Sequence, residues 1–336
     1  MCCAYLTTMT SRRQFVRAVG LALGGPLVGA RVGSADSLSA GSARRSEAPT
    51  ELAAHGSPRL LEVTGLPDAV APRVEATAGR YHSVSVSDIE SVSATLRAAG
   101  DQIHDGTGTA YGSFDATAVA RELAANTEFV RLDGRSQPSR DRQRIGRAAI
   151  DRAETARRQR DAETEVLLRS EPASTVVLDD RRVDVAHGIA PEDATDRLAE
   201  IRKESASAVP DGRGAPQLAS VLDGDVVAHA SLGERARQRA QAELPETAET
   251  VATVVRGTQA VGVGAQVSPD AITVRYALQY DGEEAIERAV DSLIAELAEK
   301  PRVEVVGQYP QDQAIVVDVA MTATEVWTIH EQLLDG

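Results

Sequence analysis

Past its third residue the sequence contains no cysteine; Cys2 and Cys3 are its only two. The rest of the chain therefore holds no disulfide, thiolate zinc site or thiol nucleophile, and its stability must come from packing and surface charge. Lysine is almost as scarce, with Lys203 and Lys300 standing against 34 arginines. Aromatic residues make up only 3% of the chain while apolar residues reach 42%. The core is thus expected to rest on Val, Ala, Leu and Ile, with Phe114, Phe129, Tyr276 and Trp327 as its few large anchors. Cations are outnumbered, 36 to 50, for a formal charge of −14. Such an acidic, lysine-poor surface stays soluble in molar salt, where charge repulsion is screened within about 3 Å. The apolar stretch at 18–30 has 13 residues, too few to cross a hydrocarbon layer of about 30 Å, so no stable membrane span is expected.

What is present is clearest at the N-terminus. Residues 11–17 read SRRQFVR and lead into AVGLALGGPLVGA at 18–30. This arrangement resembles a twin-arginine signal peptide, with Arg12, Arg13 and Phe15 at its defining positions. Val16 and Arg17 stand where leucine and lysine are usual. Gly24, Gly25 and Pro26 interrupt the apolar stretch, which suits a weakly apolar targeting segment. Gly33-Ser34-Ala35 places small residues before a cleavage point after Ala35, with Ala30 as the alternative and Met9 as a second possible start. The resemblance implies a protein exported through the twin-arginine translocase, normally already folded, to the cell surface or exterior. Charge and composition together resemble exported proteins of halophilic archaea. Removing the four signal arginines leaves 32 bases against 50 acids, a charge of −18.

Along the chain, 1–35 is read as the signal and 36–58, rich in Ser, Ala, Gly and Pro, as a disordered linker. An N-terminal α/β segment is expected at 59–139. In it, RLLEV at 59–63 and YHSVSVS at 81–87 read as strands, and 88–99 reads as an Asp-capped helix. A Gly/Thr loop at 105–113 then leads to a second Asp-capped helix at 115–125. Residues 140–171 carry nine arginines and seven acids around a thin stripe of Ile145, Ala149, Ala153 and Ala156, the pattern of a long charged helix.

A C-terminal α+β domain is expected at 172–336, made of antiparallel sheets with helices packed on one face. Val183, Ala186, Glu192, Ala194 and Arg197 recur 91 residues later as Val274, Ala277, Glu283, Ala285 and Arg288. That offset proposes two ββαββα units, 172–245 and 260–336, with Ala194 and Ala285 on equivalent buried helix faces.

Motifs for chemistry are sparse. The six histidines form no HExxH or HxH pattern; His187 and His229, with Asp184, are the best zinc candidates and still lack a convincing ligand set. His104-Asp105 before the Gly/Thr loop offers too few oxygen ligands for calcium and no Lys-Ser or Lys-Thr for phosphate. No GxSxG motif occurs, and neither a catalytic residue nor a cofactor is assigned.

The one lead with a charge argument is the arginine-rich region. Residues 131–160 carry a net +6, while 172–336 carry −15. Arg140, Arg142, Arg144 and Arg147 are the candidate contacts for an anionic glycan, lipid headgroup or acidic protein. Nucleic acid is not expected, because few aromatics are available to stack on bases. The sequence favours a non-catalytic extracytoplasmic binding or interaction module. The alternative is a hydrolase whose carboxylates are assembled from distant strands.

Overall fold

The structure, a computed structural model, describes residues 50–65, 82–99, 102–126, 129–131, 165–170, 173–188, 216–243, 249–269, 271–280, 284–311 and 314–327. Twelve strands occur among them. In chain order they are β1 (Thr50–Gly56), β2 (Ile89–Ala99), β3 (Gln102–Gly112), β4 (Val130–Arg131), β5 (Glu165–Ser170) and β6 (Ala173–Asp179). Then come β7 (Arg182–His187), β8 (Val226–Ser231), β9 (Thr258–Val267), β10 (Ile272–Tyr280), β11 (Val303–Gln311) and β12 (Ala314–Met321). The helices are α1 (Arg59–Thr64), α2 (Ala116–Asn126), α3 (Pro216–Val221), α4 (Glu234–Glu243), α5 (Glu249–Gly257) and α6 (Glu284–Ala298). The chain is α+β with antiparallel sheets, as its pattern of short strands and capped helices indicated.

It divides into two compact units. Unit 1 draws on Ala71–Leu96 and Ile103–Pro210; unit 2 draws on Ser11–Val70, Arg97–Gln102 and Asp211–Gly336. In unit 1 the strand order is β2-β3-β7-β6-β5-β4. Helix α2 starts where Asp115 caps it, its Oδ1 accepting from the Ala118 N–H at 2.8 Å. Val119, Ala120 and Leu123 of α2 pack on Ala110, Leu167, Val176, Leu178, Val183 and Val185, with Phe114 and Phe129 buried beside them. Residues directly opposite in a ladder share a face, so this core lies on one side of the sheet and Thr109, Thr175 and Asp184 lie on the other.

In unit 2 the order is β11-β12-β10-β9-β8-β1. Here helices cover both faces. Gln308 sits opposite Val317 and donates to Asp291 of α6 at 2.9 Å, which places α6 on that side. Arg275, opposite Asp318, reaches the Val221 carbonyl at the end of α3 on the other side. Strand β12 is accordingly buried along most of both faces, which is why AIVVDVAM is a nearly continuous apolar run. Near the C-terminus, the buried Trp327 indole N–H donates to the Gly65 carbonyl at 3.2 Å and closes the unit on the cap of α1.

Alternating glycines in β9 set how closely α3 approaches. A methyl group on Gly264 would overlap the Asp223 carbonyl oxygen, and one on Gly262 would meet the end of Leu222. The Asp223-Gly224 turn lies directly on the strand there, and Gly224 adopts a φ of 130° that favours glycine.

Several local expectations are corrected. Residues 50–56, placed in a disordered linker, form β1 and pair with β8. The stretch 59–63 is helical, because Pro58 and Gly65 frame it; Gly65 has φ 72° and donates its N–H to the Leu61 carbonyl. No strand forms over 82–85, which precedes a single 3-10 turn at Val86–Asp88.

The stretch 88–99 is strand β2. Asp88 accepts from Ser85 N–H in the 3-10 turn and does not cap an α-helix. The Gly/Thr loop is strand β3, with Thr107 and Thr109 on one face and Gly106, Gly108 and Ala110 on the other.

The proposed duplication also fails. Residues 260–336 do supply a ββαββ run, but β6 and β7 belong to unit 1 while β8 pairs with β1 and β9 in unit 2. The two segments have different strand orders, and Ala285 is exposed, so the matched residues are coincidental. Ala194 and most of the charged segment 140–171 lie outside the described residues; 165–170 of that segment is strand β5, not helix.

Candidate functional site

The polar side chains buried against the sheets form separate groups, each produced by strand register. In unit 1, Asp184 is fully buried on β7, opposite Thr109 of β3. Its Oδ1 accepts from the Thr109 hydroxyl and from Arg182 Nε, both at 2.8 Å. Arg182 lies over the Tyr111 ring at 4.9 Å, and its Nη2 is buried without a hydrogen-bond partner. Spacing of two along β7 and directly opposed positions on β3 bring these groups to one face.

His187 lies on the opposite face of the same strand. Its Nδ1 is 3.0 Å from the Ser174 Oγ, and Ser174 is 1% exposed. A serine so enclosed within a strand, next to the α2 core, reads as a cross-strand hydrogen bond and not as an accessible nucleophile. The face separation also means that Asp184 and His187 do not converge as zinc ligands, and His229 lies in unit 2.

In unit 2 one face carries two polar clusters. Arg275 donates from Nε and Nη2 to both oxygens of Asp318, at 2.7 and 2.9 Å. Its Nη1 reaches Asp223 at 3.1 Å and the Val221 carbonyl at 3.3 Å, while the guanidinium stands 6.0 Å from the Tyr309 ring. The bidentate bond to Asp318 holds the guanidinium pKa well above its ordinary value. This fork pins the loop after α3 onto strands β10 and β12.

The second cluster is a histidine pair. Register sets His55 of β1 opposite Val227 and His229 of β8 opposite Ala53, so the two imidazoles are diagonal neighbours on one face. Beyond His229 comes Gly262 of β9, with Leu222 packed over that glycine. His229 is 4% exposed, and its Nε2 and the Nδ1 of His55 are both buried without a hydrogen-bond partner. Burial pushes both pKa values below the ordinary histidine range, and His55 adds to the effect on His229. Tyr276 of β10 lies on the opposite face by register, and burial raises its phenol well above the ordinary tyrosine range.

The sequence reading put His55 in the linker and so missed this pair. No alternation in TELAAHG marks β1, whose burial has no period of two; pairing with β8 sets the strand. Among the described residues no group of three or more His, Cys, Asp or Glu is placed to hold a metal ion. Arg12, Arg13, Phe15, Ala35, Arg140, Arg142, Arg144 and Arg147 lie outside the described residues. No described helix is long and apolar enough to cross a membrane.

No protein-family model matches the chain, and no curated protein matches it. Among solved structures it is similar to TP0453. Crystal form III of that protein aligns with a TM-score of 0.46 and 9% identity, covering 83% of this chain and 94% of the other. Crystal form I gives 0.45 and 10%, covering 84% and 94%.

Proposed function

We propose that the chain is exported in folded form by the twin-arginine translocase and works outside the cytoplasm as a non-catalytic binding or interaction module. The observation that carries this reading is the segment SRRQFVR followed by 13 apolar, glycine-interrupted residues and the small-residue site ending at Ala35. The described polar clusters are in keeping with it: Arg275–Asp318 joins β10 to β12, and Asp184, paired with Arg182 of its own strand, joins β7 to Thr109 of β3. The acid excess and near absence of lysine fit an exterior of high ionic strength. Arg140, Arg142, Arg144 and Arg147 supply the cationic contact for an anionic partner on an otherwise acidic chain.

Replacing Arg12 and Arg13 together by Lys tests the export step. The precursor should accumulate inside the cell; normal secretion of the double variant would overturn the reading. For the contact itself, replacing Arg140, Arg142, Arg144 and Arg147 by Gln should abolish low-salt retention on an immobilised sulfated glycan. Equal retention of the variant would remove those arginines from the proposal.

A further inference from the structure

We infer that His55 and His229 form a two-coordinate site for a monovalent copper ion, bridging strands β1 and β8 of unit 2. The register makes them diagonal neighbours on one face, a separation of about 7–8 Å between backbones that two imidazoles span readily. Each ring presents a buried nitrogen, Nδ1 of His55 and Nε2 of His229, that no protein group satisfies. Buried polar atoms are normally paired, and two orphans on adjacent strands ask for a shared partner. Ala53, Val227, Leu222 and the bare backbone of Gly262 adjoin the pair, and the Ser57 hydroxyl, also buried without a partner, lies two residues beyond His55. In that setting the imidazoles are neutral at neutral pH and their lone pairs are open to a metal.

The number of ligands selects the ion. Zinc in a closed site takes four protein ligands, and no third His, Cys, Asp or Glu joins the pair among the described residues. Imidazole also suits copper, and its filled d-shell cuprous form is stable with two nitrogens in a line and no water. A two-histidine site whose open nitrogens are both buried fits that preference and disfavours hard, water-retaining cations such as magnesium or calcium. The bound ion would fasten β1, the first strand of unit 2, to β8 and stabilise the folded state by mass action.

The experiment uses the full-length chain with Cys2→Ser and Cys3→Ser in every variant, so that the N-terminal thiols do not compete. Cuprous ion is titrated anaerobically against a chromogenic cuprous chelator, and melting is followed with and without the metal. We expect one ion per chain, a higher melting temperature with metal, and at least a tenfold loss of affinity in His55→Gln and in His229→Gln. His82→Gln and His187→Gln should bind as the parent does. X-ray absorption of the parent complex, which does not depend on any variant folding, should show two nitrogen neighbours in a linear arrangement. Absence of stoichiometric binding, binding unchanged in the His55→Gln/His229→Gln double variant, or three or more first-neighbour ligands would each overturn the site.

Discussion

At the residue scale, two positions carry stability out of proportion to their size. Asp184 is fully buried and is the acceptor for both Thr109 and Arg182. Asp184→Ala leaves a mostly enclosed guanidinium without its counter-charge, and breaking such a pair from one side costs about 3–5 kcal/mol. Asp184→Asn keeps an acceptor for Thr109 and should cost less. Urea denaturation of both variants orders them; equal stability of Asp184→Ala and the parent would show that the pair is dispensable.

Gly264 is the second position. An alanine there meets the Asp223 backbone, so Gly264→Ala should cost about 1–3 kcal/mol. In Gly262→Ala the obstacle is the end of the flexible Leu222 side chain, and the loss should be smaller. The reverse order would mean that the loop after α3 does not rest on β9.

Among elements, β1 and β8 hold the histidine pair, and the sign of its pH effect follows from burial. In the unfolded chain both imidazoles titrate near 6.5; in the folded chain both pKa values are lowered. Below about 6.5 the unfolded state therefore binds more protons than the folded one. The contribution of the neutral pair is fully present above that pH and is lost as pH falls through the folded values. Denaturation midpoints measured from pH 8 to pH 5 should drop on the acid side, with a shallower drop in the His55→Gln/His229→Gln variant. Parallel curves would assign the acid sensitivity to other groups.

Legibility of the elements depended on whether the decisive information was local. Helix α2 was readable from Asp115 and the apolar spacing that follows it, and β6, β7 and β8 from turn residues and alternating patterns. Strand β2 was misread because Ile89, Val92 and Leu96 are spaced three and four apart as on a helix; what decides the matter is pairing with β3. Strand β3 was misread as a loop because glycine usually marks turns. Here Gly112 is required where the Asp88 carbonyl abuts the backbone, and the threonines bond across to Thr95 and Asp184. The copper-site candidates could not be seen from local sequence at all, since His55 and His229 are brought together by a pairing between residues 174 positions apart.

For the whole molecule the governing quantity is charge. Without the proposed signal residues the chain would carry −18, and the described arginines Arg182 and Arg275 neutralise acids inside the fold without diluting the acidic exterior. Mutual repulsion of the exposed acids should loosen the fold in dilute buffer and be screened in concentrated salt. Melting temperature is therefore expected to rise from dilute buffer to molar KCl; a flat or falling profile would count against adaptation to high salt.

The central claim, export with removal of a twin-arginine leader, is tested most directly by the N-terminal sequence and intact mass of the protein outside the cell. The account predicts an extracellular chain that begins at Asp36, lacks Arg12 and Arg13, and carries all six histidines of the sequence, His55 and His229 among them. A chain found only inside the cell with residues 11–35 still attached would contradict it.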